Sequence, residues 1–325
     1  MKSIAIIGAG ISGLSLAHRI QSQFSYQLFE KSPAPGGRVA SRMIANQHFD
    51  HGAQFFTARS PQFKRYLQSL IDAGSVADWQ ARFVEMDGNA INASRDWDDE
   101  YPHYVGVPDM AAIGRAMAHQ QPVHFNTEIV GLKRQENSWY LQDREGQNHG
   151  PYDWVALTLP APQTLALLPE TFSDYNAIAD IRMKACYALM LSLKADPGLP
   201  FEAALVKNAD ISWVSVNSSK PGRQGHSLLI HASNDWAEKY LDEDIGSVKK
   251  QMVDTVVAVT GLDPQLIVAA EVKRWVYANL PKQTQPPFYI DTALQIAACG
   301  DWCIKGRVEA AFNSGYKLGH KLNNL

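Results

Sequence analysis

The chain has 325 residues, 46% of them hydrophobic, which is enough apolar material for a large core arranged as two domains. Its formal net charge of -3 offers no basic surface, so nucleic acid and anionic membranes are excluded as partners. Three cysteines are too few for a disulfide framework, and no apolar run approaches the ~20 residues that span a bilayer. We therefore expect a cytoplasmic protein without a metal site, and the sequence leaves its oligomeric state open.

The N-terminal segment predicts a dinucleotide-binding unit. An apolar strand at residues 4–7 runs into Gly-x-Gly-x-x-Gly at residues 8–13, a helical pattern follows, and a second strand ends at Glu30. Gly8 permits the tight turn, Gly10 lets the backbone approach a pyrophosphate, and Gly13 lets the helix pack on the sheet. The helix N-terminus then faces the phosphates. Glu30 is placed to accept hydrogen bonds from the ribose hydroxyls.

A second glycine loop indicates which dinucleotide is bound. Gly36 and Gly37 precede Arg38, and a plain nicotinamide-binding fold needs no such loop. A larger cofactor would use these backbone N–H groups and the guanidinium near its phosphates. The pattern resembles the flavin-binding amine oxidase superfamily, and this resemblance implies FAD instead of NAD. The alternative for Arg38 is a solvated surface arginine.

The next part of the chain alternates helices and strands. Ser60-Pro61 is typical of a helix start, and this helix is expected to end near Gly74. Another helix is predicted to begin at Asp109. Strands are expected at 123–125 and 129–130, and segments 139–141 and 155–159 are predicted to form a hairpin around Gly146.

Beyond residue 160 the pattern changes to alternating apolar and polar residues. Segments 187–193, 211–216 and 227–232 predict a mainly antiparallel sheet, followed by a helix at 245–259 and strands at 267–268 and 294–298. The predicted fold is α/β: a Rossmann-type FAD-binding domain interleaved with an α+β substrate domain built on that sheet. We assign residues 1–60, 105–160 and 265–325 to the first domain, and 61–104 and 161–264 to the second.

The C-terminal segment repeats the strand–glycine–acid pattern. An apolar strand ends at Gly300 and Asp301, and Gly306 and Arg307 precede a final helix from about residue 308 to 322. Asp301 is expected to accept hydrogen bonds from the ribityl or pyrophosphate-linked part of the cofactor. The helix N-terminus near Val308 would face the flavin pyrimidine edge. The alternative for Asp301 is an ordinary cap or turn residue.

With both ends considered, the chain resembles the bacterial renalases nearly end to end, on the motifs at 8–13, 36–38, 52–59 and 299–310. The resemblance implies non-covalent FAD and oxidation of the 2- and 6-dihydro isomers of NAD(P) to NAD(P)+, with dioxygen giving hydrogen peroxide. The substrate-side candidates are His231, Gln54, Phe55, Thr57 and Trp275. The candidate cofactor-binding residues are Gly8, Gly10, Ile11, Ser12, Gly13, Glu30, Lys31, Gly37, Arg38, Gly52, Ala53, Gln54, Ile129, Val130, Gly300, Asp301, Arg307, Val308, Glu309 and Ala310.

Several assignments keep an alternative. The resemblance places His231 near the flavin face, but a histidine satisfied in the core fits the sequence as well. Trp275 is equally typical of a core residue, and Cys303 is expected to form no bond to the cofactor. Hydride transfer needs orientation and little acid–base help, which agrees with the lack of a nucleophile motif. The rival functions are a flavin amine oxidase, for which Lys273 and Lys282 are candidate lysines, and a non-catalytic redox sensor.

Overall fold

A six-stranded sheet carries the N-terminal half of the candidate site. The structure is a computed structural model that describes residues 1–98, 100–281 and 285–325, so Lys282 lies outside the described residues. Within these ranges the sheet is parallel except for one antiparallel edge strand, Tyr289–Asp291. The strand order across the sheet is Tyr289–Asp291, Ile296–Ala298, Trp154–Leu157, Lys2–Ile7, Phe24–Phe29 and Val123–His124.

The helices begin and end where the sequence provides suitable residues. Pro61 occupies the first helical position of its helix. The carboxylate of Asp244 accepts a hydrogen bond from the Ser247 backbone N–H at 2.9 Å, and Gly261, with φ of 72°, ends that helix. In the described part of the chain the helices are α1 (Ile11–Ile20), α2 (Pro61–Asp72), α3 (Ala111–Ala118), α4 (Ala161–Leu165), α5 (Tyr175–Ala179), α6 (Asn234–Lys239), α7 (Ile245–Thr260) and α8 (Val308–Leu322).

The first and last helices cross in direct contact. A Cβ atom on Gly315 would lie 2.0 Å from the backbone oxygen of Ser12, so only glycine permits this approach. The Ser15 hydroxyl donates a hydrogen bond to the Phe312 carbonyl at 2.9 Å. The crossing therefore fixes the N-termini of α1 and α8 relative to each other.

The second large sheet is mainly antiparallel, as predicted. Helices α6 and α7 cover one of its faces through apolar side chains that include Trp236, Val248 and Met252. Among the described residues it has seven strands, in the order Ile267–Asn279, Lys184–Leu193, His226–Ala232, Ile211–Val216, Ala203–Lys207, Arg82–Asp87 and Ala90–Asp96. The predicted combination of a Rossmann-type unit and an antiparallel second unit is thus confirmed.

Two details of the predicted organisation need correction. Ile267–Asn279 pairs with Lys184–Leu193 in the second sheet, so the first unit resumes after this strand and not at residue 265. The predicted hairpin at Gly146 is wrong in its partner strand. Ser138–Asp143 pairs with Asn148–Tyr152, whereas Trp154–Leu157 is buried throughout and joins the parallel sheet. A continuous apolar run is typical of such a doubly covered strand.

Shorter elements connect the two units. A separate small sheet consists of the strands Ile129–Gln135, Ser138–Asp143 and Asn148–Tyr152. Within the described residues no helix is both long and apolar enough to cross a bilayer. The remaining elements are the strand pairs Arg42–Ile44 with Gln47–Phe49 and Val76–Asp78 with Tyr104–Gly106, and the 3-10 turns Gly37–Val39, Asn217–Ser219, Pro264–Leu266 and Asp301–Cys303.

Candidate functional site

The first glycine turn presents bare backbone at the carboxyl edge of the parallel sheet. Gly8 has φ of 107°, and a Cβ on Gly13 would lie 2.1 Å from the Gly8 carbonyl oxygen, so α1 packs directly on the turn. Gly10 precedes α1 without a side-chain cap, and nothing lies within 4 Å of the position that its Cβ would occupy. This open space beside uncapped N–H groups fits a pyrophosphate.

Glu30 joins the turn to the loop that follows the second strand. One of its carboxylate oxygens accepts a hydrogen bond from the Ala9 backbone N–H at 2.9 Å, and the other accepts one from the Ser32 N–H at 2.9 Å. The side chain is buried, with 8% of the residue exposed. Each oxygen retains a second lone pair, so the carboxylate can hold the loop and still accept from ribose hydroxyls.

The second glycine loop lies alongside the first. The Gly36 N–H donates to the Ala9 carbonyl at 2.8 Å, and Gly36 forms an isolated parallel bridge with Gly10. Gly36 and Gly37 both have positive φ, 107° and 58°. A Cβ on Gly37 would lie 3.4 Å from the Cα of Gly10. Two backbone loops thus form one surface without side chains, which fits the phosphates of a dinucleotide.

Arg38 connects the two ends of the chain. Its guanidinium donates two hydrogen bonds to the Asp301 carboxylate, from Nη1 at 3.0 Å and from Nη2 at 2.5 Å, and a third to the Ala278 carbonyl at 3.2 Å. The Asp301 side chain is 6% exposed and that of Arg38 30%. The structure therefore pairs the two residues for which we predicted separate cofactor contacts, and those contacts stay predictions.

Helix α8 begins beside this ion pair, with Arg307 as its uncapped first flanking residue. Glu309 in its first turn is already engaged, because it accepts hydrogen bonds from the backbone N–H groups of Arg59 and Ser60 at 3.0 and 2.6 Å. Glu309 thus anchors the loop before α2. Val308 is half-buried, whereas Ala310 is buried. The open end of α8 is therefore available to a polar ring edge.

The other predicted cofactor-binding residues differ in burial and in the elements they pack against. Ile11 and Ser12 are buried in α1, and the Ser12 hydroxyl lies 3.2 Å from the sulfur of Cys299. A Cβ on Gly52 would lie 2.1 Å from the Arg38 carbonyl, to which Ala53 donates at 2.9 Å, so this loop packs on the second glycine loop. Of the remaining predicted residues, Lys31 and Val130 are exposed, whereas Ile129 and Gly300 are buried.

On the substrate side, His51, His231 and Trp275 lie together. The Trp275 indole N–H donates to the His51 carbonyl at 2.8 Å, and their rings stack at 5.4 Å between centroids. Burial, with the charge of Lys220, lowers the pKa of His231 to about 4. Burial, with the charges of Arg42 and Lys273, lowers the pKa of His51 to about 4. Both imidazoles are therefore neutral near pH 7.

One nitrogen of His51 has no partner in the described part of the chain. The Nδ1 atom is buried and makes no hydrogen bond. An unpaired buried polar atom costs free energy, which a ligand atom can offset. His51 therefore joins His231 as a candidate for substrate contact, although from the sequence alone it resembles an ordinary turn residue.

Gln54 is held inside the protein. Its amide nitrogen donates to the carbonyls of Asp50 and Gly52, at 2.5 and 3.0 Å, and its oxygen accepts from Ser215 and Lys220, at 3.0 and 3.1 Å. The side chain is thus satisfied without a ligand. This arrangement stiffens the 50–54 loop.

A buried ionic cluster supports this loop. One oxygen of the Asp50 carboxylate accepts from Lys220 at 3.1 Å and Arg223 at 2.5 Å, and the other accepts from Ser41 and the Met110 N–H at 2.9 Å each. None of the three charged side chains is exposed. Although burial acts in the opposite direction, the two cations and these donors lower the pKa of Asp50 to about 2. In the sequence these charges resemble those of solvated turns.

Phe55 belongs to an aromatic cluster on the far side of the same loop. Its ring centroid lies 4.8 Å from that of Trp97, 5.0 Å from that of His103 and 5.6 Å from that of Trp213. Thr57 is half-buried, two residues further on. Phe55 is therefore packed in an apolar wall, and direct contact of either residue with substrate stays a prediction.

Comparison with known proteins agrees with this geometry. Residues 6–70 match the NAD(P)-binding Rossmann-like domain. Renalase of Mus musculus is 22% identical over 305 residues, which cover 86% of each protein. In fold, the chain is similar to a putative protoporphyrinogen oxidase from Exiguobacterium sp. 255-15, with TM-score 0.79, 11% identity and 99% of both chains covered. A putrescine oxidase variant has TM-score 0.70 and 12% identity, with 99% of this chain and 98% of that chain covered.

The fold and the paired glycine loops are similar to those of FAD-dependent oxidoreductases. Over 86% of its length the chain is similar to renalase, which agrees with the resemblance found in the sequence motifs.

Replacing Glu30 should weaken the binding of FAD. We expect Glu30→Ala to lower FAD affinity about tenfold to a hundredfold, because a charge-assisted hydrogen bond is lost. Glu30→Gln, which keeps acceptor capacity, should lie between Glu30→Ala and the unaltered protein. Flavin content after purification and titration of apoprotein with FAD measure the effect. Glu145→Ala, at an exposed acid, is the control. Equal flavin content in all variants would show that Glu30 does not contact the cofactor.

Asp50→Asn should be strongly destabilising. Removing this charge leaves Lys220 and Arg223 buried without a counter-ion, which costs about 3–5 kcal/mol of unfolding free energy. Urea denaturation measures the loss, and Asp254→Asn, in an exposed pair with Lys250, should change stability by less than about 1 kcal/mol.

The same carboxylate should contribute to the acid sensitivity of the protein. Since the folded pKa of Asp50 is about 2 and its ordinary value is 3.8, its stabilisation is complete above about pH 4 and is lost as the pH falls towards 2. Asp50→Asn should therefore show a flatter decline over this range. Equal stability of Asp50→Asn and the unaltered protein at pH 7 would mean that the cluster is not stabilised by this charge.

Proposed function

We propose that this protein is an FAD-dependent oxidase of dihydronicotinamide dinucleotides, the 2- and 6-dihydro isomers of NAD(P). The substrate loses a hydride and becomes NAD(P)+, and dioxygen takes up the two electrons with two protons to form hydrogen peroxide. FAD, held non-covalently, supplies the hydride acceptor when it is bound. The free, buried cysteines support a reducing, cytoplasmic location.

The distribution of charge beside His51 and Trp275 carries this proposal. Burial and the nearby cations Arg42 and Lys31 lower the pKa of Lys273, so these positive charges lie close enough to repel one another. Glu271, at 3.0 Å from Arg42, is the partner of that arginine. A site approached past several cations attracts the phosphates of a dinucleotide and repels a protonated amine.

The neutral imidazoles suit hydride transfer. A dihydronicotinamide is already a good hydride donor, so no side chain has to remove a proton from the reacting carbon. His51 and His231, with pKa values of about 4, can hydrogen-bond a carboxamide or ribose without adding charge. The Trp275 ring offers a flat surface for orientation.

A flavin amine oxidase is the alternative, and one observation favours it. Lys220 is fully buried, and its charge helps to lower the pKa of His231. The sequence analysis considered Lys273 and Lys282 as the lysine of an amine oxidase and did not identify Lys220. A lysine near the flavin is expected of an amine oxidase, so the substrate must be tested directly.

Anaerobic reduction of the bound flavin distinguishes the two functions. We expect 6-dihydroNAD or 2-dihydroNAD to bleach the absorption band at about 450 nm within a few seconds, with putrescine or other amines having no effect. Ordinary 4-dihydroNAD is the matched control for hydride donors. Bleaching by amines alone would support the amine oxidase, and bleaching by neither class would refute both.

His231→Ala should separate substrate orientation from FAD binding. We expect normal flavin content but flavin reduction slowed about tenfold, because one orienting hydrogen bond is lost. His226→Ala, at the exposed end of the same strand, should reduce at the normal rate. Stopped-flow absorption under anaerobic conditions gives both rates. An unchanged rate in His231→Ala would assign this histidine to the core.

A further inference from the structure

A second cleft lies away from the candidate active site, between α1, α2 and α8. Its volume is about 370 Å³, which is in the range of small-molecule sites. Arg19 of α1 and Arg65 of α2 line it, and Phe312 and Tyr316 of α8 add aromatic surface. Arg19 is nine residues beyond Gly10, or about 13 Å along the helix, so the cleft is separate from the glycine turn.

The two arginines bring uncompensated positive charge to the cleft. Within the described residues neither guanidinium forms an ion pair, unlike Arg38 and Arg223, which contact aspartates. The Nε atom of Arg19 is buried and has no hydrogen-bond partner in that part of the chain. An unsatisfied donor on a cation is costly, so the arrangement is suited to an anion.

The rest of the lining is uncharged and combines the rings of His18, Tyr66, Phe312 and Tyr316 with the polar side chains of Ser15, Gln62 and Ser69. The Phe312 ring centroid lies 5.1 Å from that of Tyr66 and 5.9 Å from that of Tyr316, the latter ring being tilted by only 19°. Burial raises the pKa of Tyr66 to about 12 and lowers the pKa of His18. Tyr66 therefore adds no negative charge that would compete with a ligand.

We propose that this cleft binds a small planar aromatic anion. The carboxylate or phosphate of the ligand lies between Arg19 and Arg65, and its ring packs on Tyr66 and Tyr316, the partly exposed tyrosines of the lining. A cation–π contact holds the guanidinium of Arg19 at the cleft, because its Cζ lies 5.4 Å from the Tyr316 ring centroid. Bound there, the ligand bridges α1 and α8, the two helices that cross at Gly315.

Calorimetric titration of the FAD-loaded protein tests the ligand chemistry. Benzoate and phenyl phosphate are the probes, benzamide lacks the charge, and inorganic phosphate lacks the ring. We expect at least about tenfold weaker binding of benzamide and phosphate than of the matching anion. The tighter of the two aromatic anions identifies the preferred group. Failure of both to bind at millimolar concentration would overturn the proposal.

Variants locate the binding. Arg19→Gln and Arg65→Gln should each weaken binding at least about tenfold, and Ser69→Phe, which fills the mouth of the cleft, should abolish it. Lys64→Gln, at an exposed cation of α2 outside the lining, should leave it unchanged. Circular dichroism and flavin content confirm that each variant folds.

Binding at the active site would give a different pattern. An anion beside the flavin changes the flavin absorption spectrum and loses affinity in His231→Ala, with the arginine variants behaving normally. That result would overturn the proposal for the cleft. Binding that leaves the flavin spectrum unchanged and responds to Arg19→Gln and Arg65→Gln would support it, whichever substrate the enzyme oxidises.

Discussion

The ion pair between Arg38 and Asp301 is the interaction on which the candidate site depends. It joins residues 263 positions apart, one in the second glycine loop and one in the turn before α8. Two parallel hydrogen bonds fix both the distance and the plane of the guanidinium. The predicted backbone surface for the phosphates and the open end of α8 are thereby held in one arrangement.

The helix crossing reinforces that arrangement from the other side. Gly315 lets α8 approach the Ser12 carbonyl, and Gly52 lets the 50–54 loop approach the Arg38 carbonyl. A rigid surface of this kind needs little reorganisation when a large ligand binds, so less of the binding energy is spent on ordering. We predict that side chains contribute mainly at its margins, through Glu30 at one end and His51 with His231 at the other.

Local sequence signals predicted the parts of the fold that local physics determines. The Gly8–Gly10–Gly13 turn and the final helix, from Val308 to Leu322, follow from glycine spacing and helical periodicity. Local signals did not predict that Ile267–Asn279 is an edge strand of the second sheet. Its position is determined by pairing with Lys184–Leu193, which lies 70 residues or more away along the chain. Strand pairing of this kind depends on contacts that no short window contains.

The Asp50 cluster escaped prediction for a related reason. Asp50 is 170 residues from Lys220 and 173 from Arg223, and each, taken alone, resembles a charged residue in a solvated turn. Only the folded chain shows that they lie together in the interior. The Arg38–Asp301 pair differs, because both residues stood in recognisable motifs even though their contact with each other was not foreseen.

The contacts of Lys220 also bear on the choice between the two proposed substrates. An ammonium group has three N–H donors, and the Nζ of Lys220 lies 3.1 Å from oxygens of Asp50 and Gln54 and 3.4 Å from that of Asn217. Burial lowers its pKa to about 8, so it stays protonated at neutral pH. With its donors engaged, Lys220 holds the loop in place, and any contact with substrate would require breaking one of these bonds. Its charge, added to those of Arg42 and Lys273, makes the region beside His231 more favourable to an anionic dinucleotide than to a cationic amine.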